Sequence, residues 1–191
     1  MGRTEEILSK RHSSGTNLLI FVSVGAYDKP FDRLVSAVDS LASEGVFAEK
    51  IFAQIGHSKV PVGGLPFARF LSFDEMNNRA DKASIIITQG GPGSIMLGLE
   101  RGKIPIVVPR QKVFGEMVDN HQVLFAKKLA SENKILLVHD IADLKDTYLS
   151  YVERTATMEV SPQAMKETAA RFADGLEKLI LDFQSSAGRK A

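Results

Sequence analysis

Residues 85–102 read IIITQGGPGSIMLGLERG, and this stretch decides how the chain folds. Its first four residues are apolar or β-branched and predict a buried strand, and the later apolar residues have the spacing of a helix. Three glycines and a proline separate the predicted strand from the predicted helix. Glycines at such a junction serve either a tight turn or the close approach of a ligand to the main chain.

The same alternation of strand and helix runs along the rest of the chain. Strands alternating with helices predict an α/β protein with a doubly wound, Rossmann-like, mostly parallel sheet of about six strands. We expect a polar lead-in over 1–17, one main domain over 18–160, and a C-terminal helix and tail over 161–191. The predicted strands are 18–24, 50–56, 67–73, 84–88, 105–109 and 135–138, and the predicted helices are 30–45, 74–83, 93–101, 117–131, 141–153 and 161–183.

Composition excludes several classes of function. The 191 residues carry a formal net charge of +1, which gives no reason to expect nucleic acid as a partner. Cysteine is absent, and the four histidines lack the spacing of metal ligands, so we expect no metal and no cofactor. The N-terminus lacks the apolar core of a signal peptide, and no stretch approaches the roughly 18 apolar residues of a membrane span. We therefore expect a cytoplasmic protein that meets a membrane only peripherally or through a partner.

Sites in doubly wound sheets lie beyond the carboxyl ends of the strands, and the unusual residues of this sequence cluster there. The predicted loops are 25–29, 56–58, 89–94 and 110–122. The turn of 89–94 opens a helix, where free N–H groups attract anions. Ser94 adds a hydroxyl that could cap the helix or bind a phosphate oxygen.

The loop of 110–122 is rich in side chains that form hydrogen bonds. Arg110 could balance a diphosphate, while Asn120 and Gln122 suit sugar hydroxyls. His121 could act as a general base or could simply form hydrogen bonds at a helix start. Glu116 could contact a sugar hydroxyl or face solvent.

Less informative residues lie in the other loops and in the predicted core. Asp28 and Lys29 could meet an acceptor, and His57 either lines the cleft or lies on the surface. The most economical place for six of the phenylalanines is the core: Phe31, Phe47, Phe52, Phe67, Phe70 and Phe73.

Taken in order, these residues resemble a known family. The segments 88–94 (TQGGPGS), 102–110 (GKIPIVVPR), 114–116 (FGE) and 119–122 (DNHQ) are similar to the C-terminal, nucleotide-sugar-binding domain of family 28 glycosyltransferases. The likeness covers about residues 18–140 and is strongest to standalone subunits of the split type, which act in N-glycan precursor assembly or in bacterial capsule and exopolysaccharide synthesis. It implies the C-terminal half of a GT-B fold, with the acceptor-binding half in a separate membrane-associated chain.

The resemblance also implies a function and a set of site residues. It implies an inverting transferase subunit that moves a hexose or N-acetylhexosamine from a UDP-sugar to a polyprenyl-diphosphate-linked saccharide. Either Glu116 or His121, or a residue of the partner, would be the general base. Gly91 to Ser94 would hold the donor diphosphate. The donor-binding residues would be Gly25, Gln89, Gly90, Gly91, Pro92, Gly93, Ser94, Arg110, Asn120 and Gln122.

Two positions depart from the family pattern. Many relatives carry Glu where this chain has Leu97, and His where it has Gln89. These departures favour a non-catalytic nucleotide-sugar-binding or regulatory subunit as an alternative. A nucleotide-sugar epimerase-like domain is a further alternative, since those enzymes share the architecture.

Overall fold

The computed structural model describes residues 18–163. Within this part of the chain the strands are β1 (Leu19–Ser23), β2 (Lys50–Gln54), β3 (Phe67–Ala68), β4 (Ala83–Gln89), β5 (Ile106–Val108) and β6 (Leu136–Leu137). The helices are α1 (Asp32–Ser43), α2 (Phe73–Lys82), α3 (Pro92–Leu99), α4 (His121–Ser131), α5 (Leu144–Leu149) and α6 (Tyr151–Thr155), with 3₁₀ turns at Lys112–Phe114 and Ile141–Asp143. The predicted lead-in of 1–17 and nearly all of the predicted final helix lie outside the described residues.

The strands form one six-stranded sheet in the order β3-β2-β1-β4-β5-β6, and every pairing is parallel. The predicted doubly wound α/β sheet is therefore confirmed. After β3 the chain crosses to the other side of β1, so the order of strands reverses between β1 and β4. Ligands of such sheets bind outside the carboxyl ends of the strands at this reversal.

The sheet is covered on both faces, which explains its unbroken apolar strands. Ile20, Val22, Ile85 and Ile87 face the larger cluster, which also contains apolar residues of α1 and α5. Phe21 and Ile86 face the opposite side, where α2 covers β1 and β4. The alternation along β1 and β4 places both strands between two helical layers.

Several predicted boundaries are wrong. The strand predicted over 67–73 has only two residues, and α2 begins at Phe73 because Ser72 caps it. Ser72 Oγ accepts from the amide of Glu75, and Glu75 Oε2 accepts from the amide of Ser72, which is a capping box. The helix predicted over 117–131 begins only at His121. The helix predicted over 141–153 is divided into a 3₁₀ turn, α5 and α6.

Three of the predicted core phenylalanines are exposed. Phe67 is 45% exposed, Phe70 is 48% exposed and Phe73 is 81% exposed. All three lie around β3, which is the short edge strand of the sheet, so few neighbours are available to cover them. Phe31 is buried as predicted, and Phe47 and Phe52 are partly buried.

Candidate functional site

The loops that follow β1 and β4 meet at the reversal of strand order. Ser23 pairs with Thr88 at the ends of these strands, and Thr88 Oγ1 donates to Ser23 O at 3.1 Å. Beyond them, Gly25 has φ +76°, and a Cβ at this position would lie 3.2 Å from Gln89 Nε2. The two loops that the sequence singled out are therefore in contact at the edge where ligands of this fold bind.

The three glycines of the turn differ in what a side chain at each position would contact. A Cβ at Gly90 would lie 3.0 Å from Gln122 Cβ and 3.1 Å from Pro109 Cβ. A Cβ at Gly91 would overlap the side-chain amide of Gln89. A Cβ at Gly93 would meet no described atom within 4 Å, and its φ is not positive. Close packing thus explains Gly90, the flexible Gln89 side chain fills the space beside Gly91, and the space beside Gly93 is open.

Two amides of the turn are capped within the protein. The amide of Gly90 donates to Gln122 Oε1 at 3.1 Å, and the amide of Gly91 donates to Gln89 Oε1 at 2.6 Å. The Gly91 amide is thus engaged by Gln89, and its predicted contact with the donor diphosphate stays a prediction, as does the donor-binding role of Gly90. Gly93 and Ser94 lie in the first turn of α3, where N–H groups lack carbonyl partners inside the helix.

Pro92 and Ser94 complete this helix start. Pro92 occupies the first turn of α3, where its lack of an N–H costs nothing. Ser94 Oγ accepts from Gln89 Nε2 at 2.8 Å, and Ser94 is partly exposed. The open part of the turn therefore consists of the Gly93 and Ser94 amides and the Ser94 hydroxyl.

Gln122 and Arg110 are buried, and they hold the loops together. Besides the Gly90 amide, Gln122 Oε1 accepts from the amide of Arg110 at 3.1 Å. The predicted sugar contact of Gln122 would have to use its Nε2, because its oxygen is turned inward.

Arg110 is 1% exposed, and its guanidinium is directed at main-chain carbonyls. It donates to Val24 O and Lys29 O at 3.0 Å and to Pro30 O at 3.1 Å. Burial lowers the pKa of Arg110, and the nearby Glu116 carboxylate opposes that shift. These donors position the loop after β1, and the expected contact of Arg110 with a phosphate or base stays a prediction.

Glu116 is also committed to the protein. Its carboxylate accepts from Arg33 Nε and Nη2, both at 2.9 Å, and from the amide of Gln111 at 3.0 Å. Glu116 is 5% exposed, so it neither faces solvent nor lies in an open loop. A buried carboxylate held by a bidentate arginine is a poor base, which argues against a catalytic Glu116, but the role stays a prediction.

Asn120 and His121 are exposed at the start of α4. Asn120 Oδ1 accepts from the amide of Lys112 at 3.0 Å. The His121 side chain is 83% exposed, and its Nδ1 lies 2.8 Å from Asp119 Oδ2. Hydrogen bonds from the His121 backbone and side chain lower the pKa of Asp119. When Nδ1 carries the proton, Nε2 is the acceptor, which is the tautomer a general base requires.

Gln54 is a site residue that the sequence analysis missed. It is 3% exposed, and its amide joins the ends of β1, β2 and β3. Its Oε1 accepts from the amide of Gly25 and from Ser23 Oγ, while its Nε2 donates to Gly25 O and Arg69 O, all at 3.0 Å. A lone glutamine at the end of an apolar strand was the signal that could have revealed it.

The described part of the chain has neither a cluster of metal ligands nor a membrane-spanning helix. Residues 18–163 contain no group of three or more His, Cys, Asp or Glu side chains placed to hold a metal ion. No helix within the same range is long and apolar enough to cross a membrane.

Residues 19–179 match the sequence profile of the family described as "Glycosyltransferase family 28 C-terminal domain". The chain belongs to this family. It is therefore a glycosyltransferase domain, and its Rossmann-like sheet is the C-terminal half of a GT-B fold.

Two characterised relatives carry the same description. The chain is 27% identical over 141 residues to "UDP-N-acetylglucosamine transferase subunit ALG13" of Yarrowia lipolytica, which covers 65% of this chain and 67% of that protein. It is 33% identical over 125 residues to the subunit of the same name from Homo sapiens, which covers 61% of this chain and 10% of the human protein.

Solved structures share the fold of this glycosyltransferase domain at low sequence identity. The glycosyltransferase of kitacinnamycin superposes with a TM-score of 0.56 at 18% identity, covering 86% of this chain and 44% of that one. Acinetobacter baumannii MurG superposes with a TM-score of 0.54 at 17% identity, covering 77% of this chain and 44% of MurG. The solution structure of ALG13 gives 0.51 at 20% identity, covering 75% and 89%. The chain thus spans less than half of the first two and most of the third.

Leu97, where many members of the family carry Glu, packs inward. Its side chain lies against the buried cluster of Phe21, Ala80, Ala83 and Ile86. The apolar residue at this position is therefore explained by packing between α3 and the sheet. An apolar side chain at this position leaves the ribose contact that the family pattern implies without an assigned residue.

Proposed function

We propose that this chain binds a UDP-sugar and forms the donor-binding half of an inverting glycosyltransferase. The observation that carries the proposal is the open first turn of α3 at the reversal of strand order, where Gly93 has space for a ligand against the main chain. Family membership and the names of the two curated relatives support a UDP-sugar as the ligand.

In the proposed reaction an acceptor hydroxyl attacks the anomeric carbon from the face opposite the diphosphate. The new C–O bond forms as the bond from the anomeric carbon to the UDP oxygen breaks, and the hydroxyl proton passes to a base. The Gly93 and Ser94 amides and the Ser94 hydroxyl would stabilise the charge that develops on the departing diphosphate. The dipole of α3 adds roughly 0.3–1 kcal/mol per contact. Arg110 and Glu116 would support the loops without touching the donor.

We assign the role of general base to His121 or to a residue of the partner. Asp119 lies against Nδ1 of His121, and the ring is largely exposed. This arrangement leaves Nε2 able to accept a proton from an acceptor that a second subunit brings to it.

The acceptor in this proposal is a polyprenyl-diphosphate-linked saccharide held by a membrane-associated subunit, and the pathway is capsule or exopolysaccharide synthesis. The partner would keep the chain at the cytoplasmic face of a membrane. Both curated relatives are named as subunits of a transferase, which supports a partner for this chain. Exposed apolar side chains also border the site, as expected for a surface that another subunit covers: Val113, Phe114, Val118 and Leu124.

The direct test is an amide-resolved NMR titration of the purified chain with UDP, with uridine in parallel. We expect UDP to move the Gly93 and Ser94 amide signals, and uridine to leave them much less affected because it lacks the phosphates. If UDP leaves the signals of residues 89–94 unmoved at saturating concentration, the donor-binding proposal is wrong.

A second candidate is a subunit that holds a nucleotide-sugar without turning it over. The burial of Glu116 in its ion pair and the inward packing of Leu97 favour it, because both remove polar groups from the donor side. Transfer to a lipid-linked acceptor should be measured with the partner subunit, using the wild-type chain and a His121→Ala variant. A loss of turnover with unchanged UDP binding supports a catalytic His121. Equal turnover in both proteins means that the base belongs to the partner.

A further inference from the structure

We propose that Gln89 is a positioning residue that turns the hydroxyl proton of Ser94 towards the phosphates of the donor. This inference rests on the proposed function, since it concerns the same open turn of α3. Gln89 acts on the donor only through Ser94 in this proposal: its Nε2 donates to Ser94 Oγ, and its Oε1 accepts from the Gly91 amide.

The orientation of the Gln89 amide follows from chemistry. A backbone N–H can only donate, so the side-chain atom 2.6 Å from the Gly91 amide has to be the oxygen. The nitrogen then faces Ser94 Oγ at 2.8 Å. No rotation of the amide satisfies both neighbours in the opposite sense, so the usual ambiguity of glutamine orientation is resolved at this position.

The direction of this bond fixes the role of the serine hydroxyl. Because Gln89 Nε2 has only protons to offer, Ser94 Oγ accepts there, and its own proton is not used in that bond. The neighbouring Gly93 faces open space, and Ser94 is partly exposed on that side. The hydroxyl proton is thus available to an anionic oxygen bound at the helix start, together with the Gly93 and Ser94 amides.

The surrounding glycines leave room for the Gln89 side chain in this position. A Cβ at Gly25 would lie 3.2 Å from Gln89 Nε2, and any side chain at Gly91 would overlap the amide. Two glycines from two different loops therefore make the space in which this amide lies. Its position is built into the turn, and it does not depend on a bound ligand.

The test is a double-mutant cycle on UDP affinity with Gln89→Glu and Ser94→Ala. A carboxylate keeps an acceptor for the Gly91 amide, but its second oxygen accepts the Ser94 proton and draws it away from the donor. A hydrogen bond to a charged group corresponds to roughly tenfold to hundredfold in affinity. We expect Gln89→Glu to weaken UDP binding at least about tenfold more in the wild-type background than in the Ser94→Ala background. Repulsion between the new carboxylate and UDP acts equally with Ser94 and with Ser94→Ala, so it cancels in the double-mutant cycle.

Uridine binding distinguishes an effect on the phosphates from a general structural effect on the site. We expect the four proteins to bind uridine equally, because Gln89 and Ser94 act on the phosphates. Equal effects of Gln89→Glu on UDP in both backgrounds, or parallel losses for uridine, overturn the inference and leave the proposed function standing. Failure of the wild-type chain to bind UDP overturns the proposed function itself. If Gln89→Glu does not fold, Gln89→Met replaces it in the same cycle, with an expected difference of about threefold and the same refuting result.

Discussion

Replacing Gly93 by alanine separates the ligand-binding role of the turn from its structural role. Gly93 lies in the first turn of α3 without a positive φ, and an added Cβ meets no described atom within 4 Å. Glycine in a helix costs up to about 1 kcal/mol relative to alanine, and near the helix start we expect roughly half of this. Gly93→Ala should therefore stabilise the fold by about 0.5 kcal/mol, which is about 1–2 °C in a domain of this size.

The same methyl group would lie where a phosphate oxygen has to reach the main chain. Losing one or two charge-assisted hydrogen bonds costs roughly 1.5–3 kcal/mol, so UDP affinity should fall between about tenfold and 150-fold. Thermal unfolding measures the first effect, and NMR or calorimetric titration with UDP measures the second. A gain in stability combined with a loss of affinity has no explanation in packing alone.

The matched control is Gly98→Ala in the same helix. A Cβ there would lie 3.5 Å from Lys103 O and Pro105 Cβ and 3.6 Å from Ile86 Cδ1, which are ordinary contacts. We expect a similar or slightly larger gain in stability and no change in UDP affinity. If Gly93→Ala binds UDP as tightly as Gly98→Ala does, the reasoning about the open turn is wrong.

Three further predictions concern the polar contacts around the site. Glu116→Ala should destabilise the fold by about 3 kcal/mol in urea unfolding, because it leaves Arg33, whose side chain is 14% exposed, without its carboxylate partner. A loss below about 1 kcal/mol would mean that the ion pair is effectively solvated. Arg110→Met should lower the free energy of unfolding by at least about 3 kcal/mol in the same assay, because it leaves the carbonyls of Val24, Lys29 and Pro30 unpaired. If Arg110 acted only through its charge, the variant and the wild type would be equally stable in high salt. Hydrogen bonds from Ser72 lower the pKa of Glu75 below its usual 4.5. The ionised Glu75 therefore stabilises the fold above its unfolded-state pKa, and this stability is lost as the pH falls through the folded-state pKa. Glu75→Gln should reduce the loss of thermal stability between pH 5 and 3, and an unaltered pH profile would contradict the capping box.

The doubly wound parallel sheet could be predicted because its strands and helices depend on local signals, and the sheet then indicates where a site is expected. Apolar runs without alternation indicate strands covered on both faces, and 84–88 is one of them. The turn of residues 89–94 and the loop at Gly25 were placed together because carboxyl ends of parallel strands share one edge. Both expectations needed only the sequence and the geometry of α/β sheets.

The roles of individual polar residues could not be predicted, because they depend on long-range pairing. Glu116 lies 83 residues from Arg33 in the chain, and nothing near either residue signals that the two form an ion pair. Arg110 is directed at carbonyls 80 or more residues away. The exposed phenylalanines around β3 were placed in the core for a related reason, since composition does not show that a strand is short and lies at an edge.

Most of the polar side chains at this edge of the sheet build the loops, and few are left for the ligand. Gln54, Gln89, Gln122 and Arg110 bond to the main chain of neighbouring loops and fix where the first turn of α3 points. These hydrogen bonds leave fewer main-chain N–H groups for a ligand, since the Gly90 and Gly91 amides are already used. Their benefit is that the remaining donors need little ordering when a diphosphate arrives, and rigid, preorganised donors lose less free energy on binding. Under the proposed function, such a half-site would hold the phosphates, while the contacts that select the sugar and the acceptor would come from other loops and from the partner.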